Sequence, residues 1–193
     1  MWRQAVTSDP ITQDPRPDDL RKATSLVVLH TGNGKGKTTA AIGVAVRAVG
    51  QGWKVAVLQF VKSGEWATGE EKSCKLLGMD FRTLGDGFTW DSENLENDKA
   101  AAGRAWSEAK KVIEDGAYQL VVLDEITYLC SWNWIDTNEV VATIQNRPTH
   151  VNVVLTGRDA LPELIALADT ASETQSIHHA YDKKIAALRG IDF

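Results

Sequence analysis

The segment His30-Thr31-Gly32-Asn33-Gly34-Lys35-Gly36-Lys37-Thr38-Thr39 crowds glycines, lysines and hydroxyls into one short stretch. Glycines let a backbone approach phosphate oxygens and turn its N–H groups toward them, and a helix start adds the positive end of its dipole. Gly32, Asn33, Gly34, Lys35, Gly36, Lys37, Thr38 and Thr39 are therefore candidate ligands of a nucleotide triphosphate, MgATP above all. Lys37 supplies a mobile charge and Thr38 a hydroxyl for Mg²⁺. The pattern departs from GxxxxGK[ST] at its first position, where Thr31 stands in place of Gly. Leu120-Val-Val-Leu-Asp-Glu125 is an apolar run ending in two carboxylates, the place where phosphate-loop proteins hold Mg²⁺ or orient a nucleophile. Asp124 and Glu125, with Thr38, are the candidate metal partners, because Mg²⁺ takes oxygen ligands and shares them with phosphates. Lys37, Thr38 and Glu125 are the candidate catalytic residues.

Two further segments carry weaker signals. Gly85-Asp-Gly-Phe-Thr-Trp-Asp91 holds Phe88 and Trp90 in a flexible stretch. Aromatics in a loop are usually anchors to the core, and they also make an apolar wall for a large flat ligand. Thr156-Gly157-Arg158 follows an apolar run, and Arg158 reads as a contact to phosphate or to a second substrate, or equally as a surface arginine. His30, His150, His178 and His179 have no metal-ligand spacing, and Cys74 and Cys130 stand outside any CxxC pattern, so they are expected to be inert thiols.

These motifs need a scaffold that brings them to one edge. From Ser25 onward short apolar runs alternate with longer helical patterns, the signature of a parallel sheet with crossover helices. The expected strands are 26–30, 54–60, 80–84, 120–124 and 151–156. A helix over 37–49, small and apolar on nearly all sides, should follow the phosphate loop. Another over 97–114 carries Ala102, Ala105, Trp106, Ala109, Val112 and Ile113 at three- and four-residue spacing, with Gly116 as its stop. The expected fold is an open, mostly parallel α/β sheet with helices on both faces, a phosphate-loop, RecA-like architecture. Residues 1–22 form an expected flexible N-terminal arm and 23–193 one binding domain.

Composition agrees with that reading. At 193 residues, with 43% hydrophobic and 24% charged, the chain is long enough for one core without disulfides. A formal charge of −5 argues against a broad nucleic-acid surface. No apolar run approaches a membrane span and the N-terminus lacks a signal-peptide core, so a cytoplasmic protein with no membrane partner is expected.

The chain resembles the phosphate-loop type of cob(I)alamin, or corrinoid, adenosyltransferase. The similarity runs in order through TGNGKGKTTAA, RAVGQGWKVAVLQFVK, TGEE, DGFTW, VVLDE, NRP, VVLTGR, ALAD and the terminal GIDF. The resemblance implies transfer of the 5′-deoxyadenosyl group of ATP to the Co(I) centre of a reduced corrinoid, with release of triphosphate. It implies that the loop holds the triphosphate, that Thr38, Asp124 and Glu125 serve Mg²⁺, and that Phe88 and Trp90 line the corrinoid face and help remove its lower axial ligand. It also implies a homodimer and an electron-donor protein as partners.

Several positions depart from the family pattern. The Pro- and Asp-rich arm replaces a basic helical segment, Ser63-Gly64 inserts into the usual FxKG turn, and Thr127 stands where Asn is common. His178, Lys184, Ala186 and Leu188 differ from typical tail residues. A small-molecule kinase or an ATPase is the rival on the same fold class, and a non-catalytic carrier the rival from another class. An arginine-rich lid and an NKxD signature are both absent from the sequence.

Overall fold

A computed structural model describes residues 17, 19–63, 68–85 and 95–192. Among them six strands form one sheet, in the order β3-β2-β4-β5-β1-β6 with every pairing parallel. The strands are β1 (Val27–Thr31), β2 (Val55–Ser63), β3 (Asp80–Gly85), β4 (Leu120–Asp124), β5 (Asn152–Thr156) and β6 (Thr170–Glu173). The helices are α1 (Lys37–Gly50), α2 (Gly69–Leu76), α3 (Leu95–Glu114), α4 (Ile126–Ser131), α5 (Thr137–Gln145) and α6 (Pro162–Leu167).

Successive side chains on a strand point to opposite faces, so a strand covered on both sides must be apolar at every position. β4 obeys this: all five residues are buried. Val121 and Leu123 join a core cluster with α3, α4, α5 and α6, while Leu120 and Val122 join a second with α1 and α2. The sheet thus carries helices on both faces, as the sequence predicts. α1 meets the sheet through Ala41, Ala45 and Ala48, and Val46 is exposed. Its fully buried residues form a stripe of small side chains with Ile42, Val44 and Val49 partly buried beside it, on a helix that the sequence reads as small and apolar on nearly all sides. Small side chains let the helix lie close to the strands that carry the loop.

The five expected strands and two expected helices are present with ends shifted by a few residues. β6 and the helices α2, α4, α5 and α6 add to them. β6 reads Thr-Ala-Ser-Glu, and all four residues are exposed. An edge strand with polar side chains leaves no apolar alternation to detect. It pairs with β1 from Val28↔Thr170 to Thr31↔Glu173, which carries the chain straight to the phosphate loop.

The central placement of β5 positions the site. Register pairs His30 with Thr156, Leu123 with Leu155 and Gln59 with Asp124. The carboxyl ends of β1, β5, β4 and β2 therefore stand side by side, with Thr156 between the phosphate loop and Asp124. Ligands of open α/β sheets bind at such an edge. Cys74 and Cys130 are buried, and burial pushes both thiols up to about 11, as suits inert packing residues. Among the described residues no helix is long and apolar enough to cross a membrane.

Candidate active site

The phosphate loop leaves β1 and turns into α1 at Gly36, whose φ of 104° defines the helix entrance. No acidic side chain occupies the first turn of α1, so its dipole end remains open to an anion. Ala40 N–H donates to Gly36 O at 2.7 Å. By the geometry of any helix start, the amides ahead of it lack intrahelical partners.

The glycines of the loop divide their roles in a way the sequence does not reveal. A Cβ at Gly32 would overlap Thr174 O, and one at Gly34 would stand 2.8 Å from Gln175 O. Thr174 N–H donates to Thr31 O, Gly34 N–H donates to Thr174 O, and the Thr174 hydroxyl lies within donating distance of both Thr31 O and Gly34 O. The first half of the loop is thus stitched to the chain leaving β6. Gly32 and Gly34 are small because another backbone lies against them.

A cavity of about 660 Å³ opens over the second half, lined by Gly34 to Thr39 together with Glu125, Tyr128 and Arg158. Gly190, Ile191 and Asp192 also line it, and Asp192 makes an ion pair with Lys35 of the loop. The structure therefore brings Gly34, Lys35, Gly36, Lys37, Thr38, Thr39 and Glu125 together. Gly32 and Asn33 lie outside this lining. Phe88 and Trp90, the Ser63-Gly64 insertion, Phe193 and nearly all of the N-terminal arm fall outside the residues whose side chains are described.

Asp124 is fully buried beneath the cavity floor. Thr38 Oγ1 donates to its Oδ1 at 2.9 Å, Thr156 Oγ1 to the same oxygen at 2.6 Å, and Gln59 Nε2 to Oδ2 at 2.9 Å. Thr156 Oγ1 in turn accepts Glu125 N–H at 2.9 Å. Each donor comes from a different element, so the carboxylate ties α1, β5 and β2 to the end of β4. Sequence reasoning missed Gln59 and assigned no role to the Thr156 hydroxyl, because neither lies in a recognisable spacing with Asp124. Glu125 follows with φ 68°, a left-handed conformation uncommon for a non-glycine residue and frequent at functional sites.

Lys37 Nζ donates to Gly34 O at 2.7 Å. Its pKa is lowered, first by burial and then by the Arg158 charge, with Glu125 and Asp124 acting in the opposite sense. Tyr128 is raised, chiefly by burial and further by Glu125, while Arg158 opposes the rise. Lys37, Arg158 and Glu125 thus share one concavity, with Asp124 buried below it. Oxygen donors at Thr38, Asp124 and Glu125 fit a hard divalent cation, and no group of three or more His, Cys, Asp or Glu side chains forms a metal cage among the described residues. A Mg²⁺ held here would complete its shell with phosphate and water.

Comparison with known proteins gives a consistent result. The family described as ATP:corrinoid adenosyltransferase BtuR/CobO/CobP matches residues 23–193. A corrinoid adenosyltransferase of Escherichia coli strain K12 is 41% identical over 180 residues, covering 93% of this chain and 91% of that protein. The corrinoid adenosyltransferase CobA of Salmonella typhimurium is 39% identical over 191 residues, covering 99% and 96%. A corrinoid adenosyltransferase of Pseudomonas aeruginosa is 37% identical over 193 residues, covering 99% and 92%.

Proposed function

The chain belongs to the ATP:corrinoid adenosyltransferase family, and from that premise we propose how its own residues divide the work. The enzyme transfers the 5′-deoxyadenosyl group of ATP to the Co(I) centre of a reduced corrinoid. The cobalt electron pair forms the new bond to C5′, the C5′–O bond breaks, and triphosphate leaves with that bond's electrons. Co(I) is itself a strong nucleophile, so the protein needs no general base. Its tasks are to hold C5′ in line and to stabilise the leaving group.

The observation that carries this division is the buried Asp124 network at the mouth of a helix with no acidic first turn. The amides of Lys35 to Thr39 and the Lys37 ammonium hold the triphosphate. Both Asp124 oxygens are engaged by protein donors, so Asp124 fixes the Thr38 hydroxyl, and Thr38 and Glu125 would hold the Mg²⁺ with the Asp124 charge in support. Mg²⁺, when bound, supplies further positive charge to the departing triphosphate. Gly32 supports the loop from behind, against the chain leaving β6.

Product analysis tests this reading. ATP, Mg²⁺ and reduced cobalamin should yield adenosylcobalamin and triphosphate in equal amounts with little ADP. Accumulation of ADP and phosphate, unaffected by corrinoid, would instead identify a phosphoryl-transfer enzyme. Phe88 and Trp90 line the corrinoid in this scheme, a role that rests on the DGFTW resemblance. Alanine at either should harm turnover of Co(II) substrate under mild reductant far more than turnover of prepared Co(I). Equal losses would return both residues to a packing role. The homodimer and the electron-donor protein rest on the resemblance too, and sedimentation of the purified chain decides the first: a monomer at all concentrations removes it.

A further inference from the structure

The backbone of Arg158 is locked while the head of its side chain is free. Its carbonyl accepts the Thr127 hydroxyl at 2.7 Å, and Thr127 is fully buried. Gly157 before it has φ 141° and no room for a side chain, because a Cβ there would overlap Thr127 Oγ1. Gly157 N–H donates to His30 O at 3.2 Å, continuing the β5–β1 ladder one residue past the strand. The turn is therefore pinned from both sides. Beyond it, the guanidinium has no hydrogen-bond or ion-pair partner among the described residues, and Arg158 lines the same cavity as Lys37.

Like charges on one concave wall repel unless an anion enters between them. A guanidinium presents a planar fork of donors that matches two phosphate oxygens at once, and a fixed backbone reduces the freedom lost on binding. We infer that Arg158 is a second cation for the nucleotide's polyphosphate, and that the buried Thr127 is the positioning residue that holds it against the cavity. The inference rests on the reading of this cavity as the triphosphate site. As the C5′–O bond breaks, negative charge grows on the leaving triphosphate, and Lys37 and Arg158 take it up together. Thr127 acts through its hydroxyl: valine has nearly the same shape but leaves the Arg158 carbonyl without its donor.

Inorganic triphosphate with Mg²⁺ is titrated into the purified full chain by calorimetry, and KM is measured separately for ATP and for corrinoid. Arg158→Met should weaken triphosphate binding about tenfold, the scale of one charge-assisted contact, with corrinoid KM unchanged. Thr127→Val should weaken it about three- to tenfold, with Thr127→Ser restoring it. In the Arg158→Met background Thr127→Val should add nothing, because its effect runs through Arg158. Thr127→Ala replaces the valine variant if that protein is not recovered folded. Unchanged triphosphate affinity in Arg158→Met overturns the inference, and so does a loss confined to corrinoid KM. A lowered Tm in Thr127→Val with normal triphosphate affinity removes the positioning role. If Lys37→Ala also binds triphosphate normally, the cavity is not the triphosphate site, and the inference falls together with that earlier reading.

Discussion

Two aspartates sit at opposite ends of neighbouring parts of this sheet, and their partners differ in kind. Asp80 begins β3 and receives Arg82 Nη2 at 2.5 Å, Arg82 Nε at 3.0 Å and Tyr118 Oη at 2.5 Å. The Arg82 hydrogen bonds hold its carboxyl below the usual range, with Tyr118 and the Arg82 charge assisting and burial opposing. Asp124 ends β4 and receives only neutral donors, from Thr38, Thr156 and Gln59. Neutral donors satisfy lone pairs without cancelling the charge, and a fully buried charge is costly unless a cation compensates it. Asp80 is complete as it stands and reads as a surface tie between β3 and the start of β4. Asp124 is geometrically fixed yet electrostatically incomplete, the condition expected of a group that serves a metal-bound polyanion.

The strongest way to break this contrast is to remove the lysine of the cavity above Asp124. Lys37→Ala should keep its circular dichroism spectrum and lose turnover by on the order of 3 kcal/mol or more in the transition state. Near-normal turnover would show that the cavity charges do not act on the leaving group.

Asp124→Asn keeps the size of the side chain and removes its charge. Turnover should fall on the order of 100-fold, about 2.7 kcal/mol, while the unfolding midpoint moves by only a few degrees. If the variant turns over within twofold of the parent, the carboxylate is a structural tie like Asp80.

Gly32 tests the side of the loop that serves the scaffold. Gly32→Ala must displace the Thr174 backbone and hold a left-handed φ of 95°. A stability loss of about 2 kcal/mol is expected in urea unfolding, with ATP affinity of the folded fraction little changed. A wild-type unfolding curve with weakened ATP binding would return Gly32 to the ligand.

The smallest effect is expected at Asp80. Its folded pKa is depressed, so its contribution is fully present above the unfolded value of about 3.9 and fades as pH falls through the lower folded value. Both partners are about one-third exposed, and Asp80→Asn should cost no more than about 1 kcal/mol at pH 7. That gap should close as the pH is lowered below about 4, with turnover at pH 7 unaffected. A gap that stays constant down to pH 3 would mean that the charge of Asp80 contributes nothing.

Much of the site could be read from the chain because its chemistry is local. The phosphate loop, the carboxylates after β4 and the small-residue helix follow from spacing within a few residues, since Gly, Lys and Thr act there through adjacent backbone and one helix start. Five strands and two helices were legible for the same reason: a doubly covered strand is apolar throughout, and α3 repeats its buried residues at helical spacing. β6 was not legible, because its strand character comes from the open edge of β1 rather than from its own four polar residues.

Local residue patterns alone place a phosphate loop between a strand and a helix and two carboxylates at the end of another buried strand. That β5 lies between those strands emerges in the folded sheet, and it puts the Thr156 hydroxyl 2.6 Å from Asp124 and Arg158 on the cavity wall. Likewise only the folded chain laid Thr174 and Gln175 against Gly32 and Gly34. The physical reason is distance along the chain: Gln59 and Asp124, 65 residues apart, or Thr31 and Thr174, 143 apart, meet through strand order. Strand order is a property of how the whole sheet buries its two faces, and no local pattern of residue types encodes it.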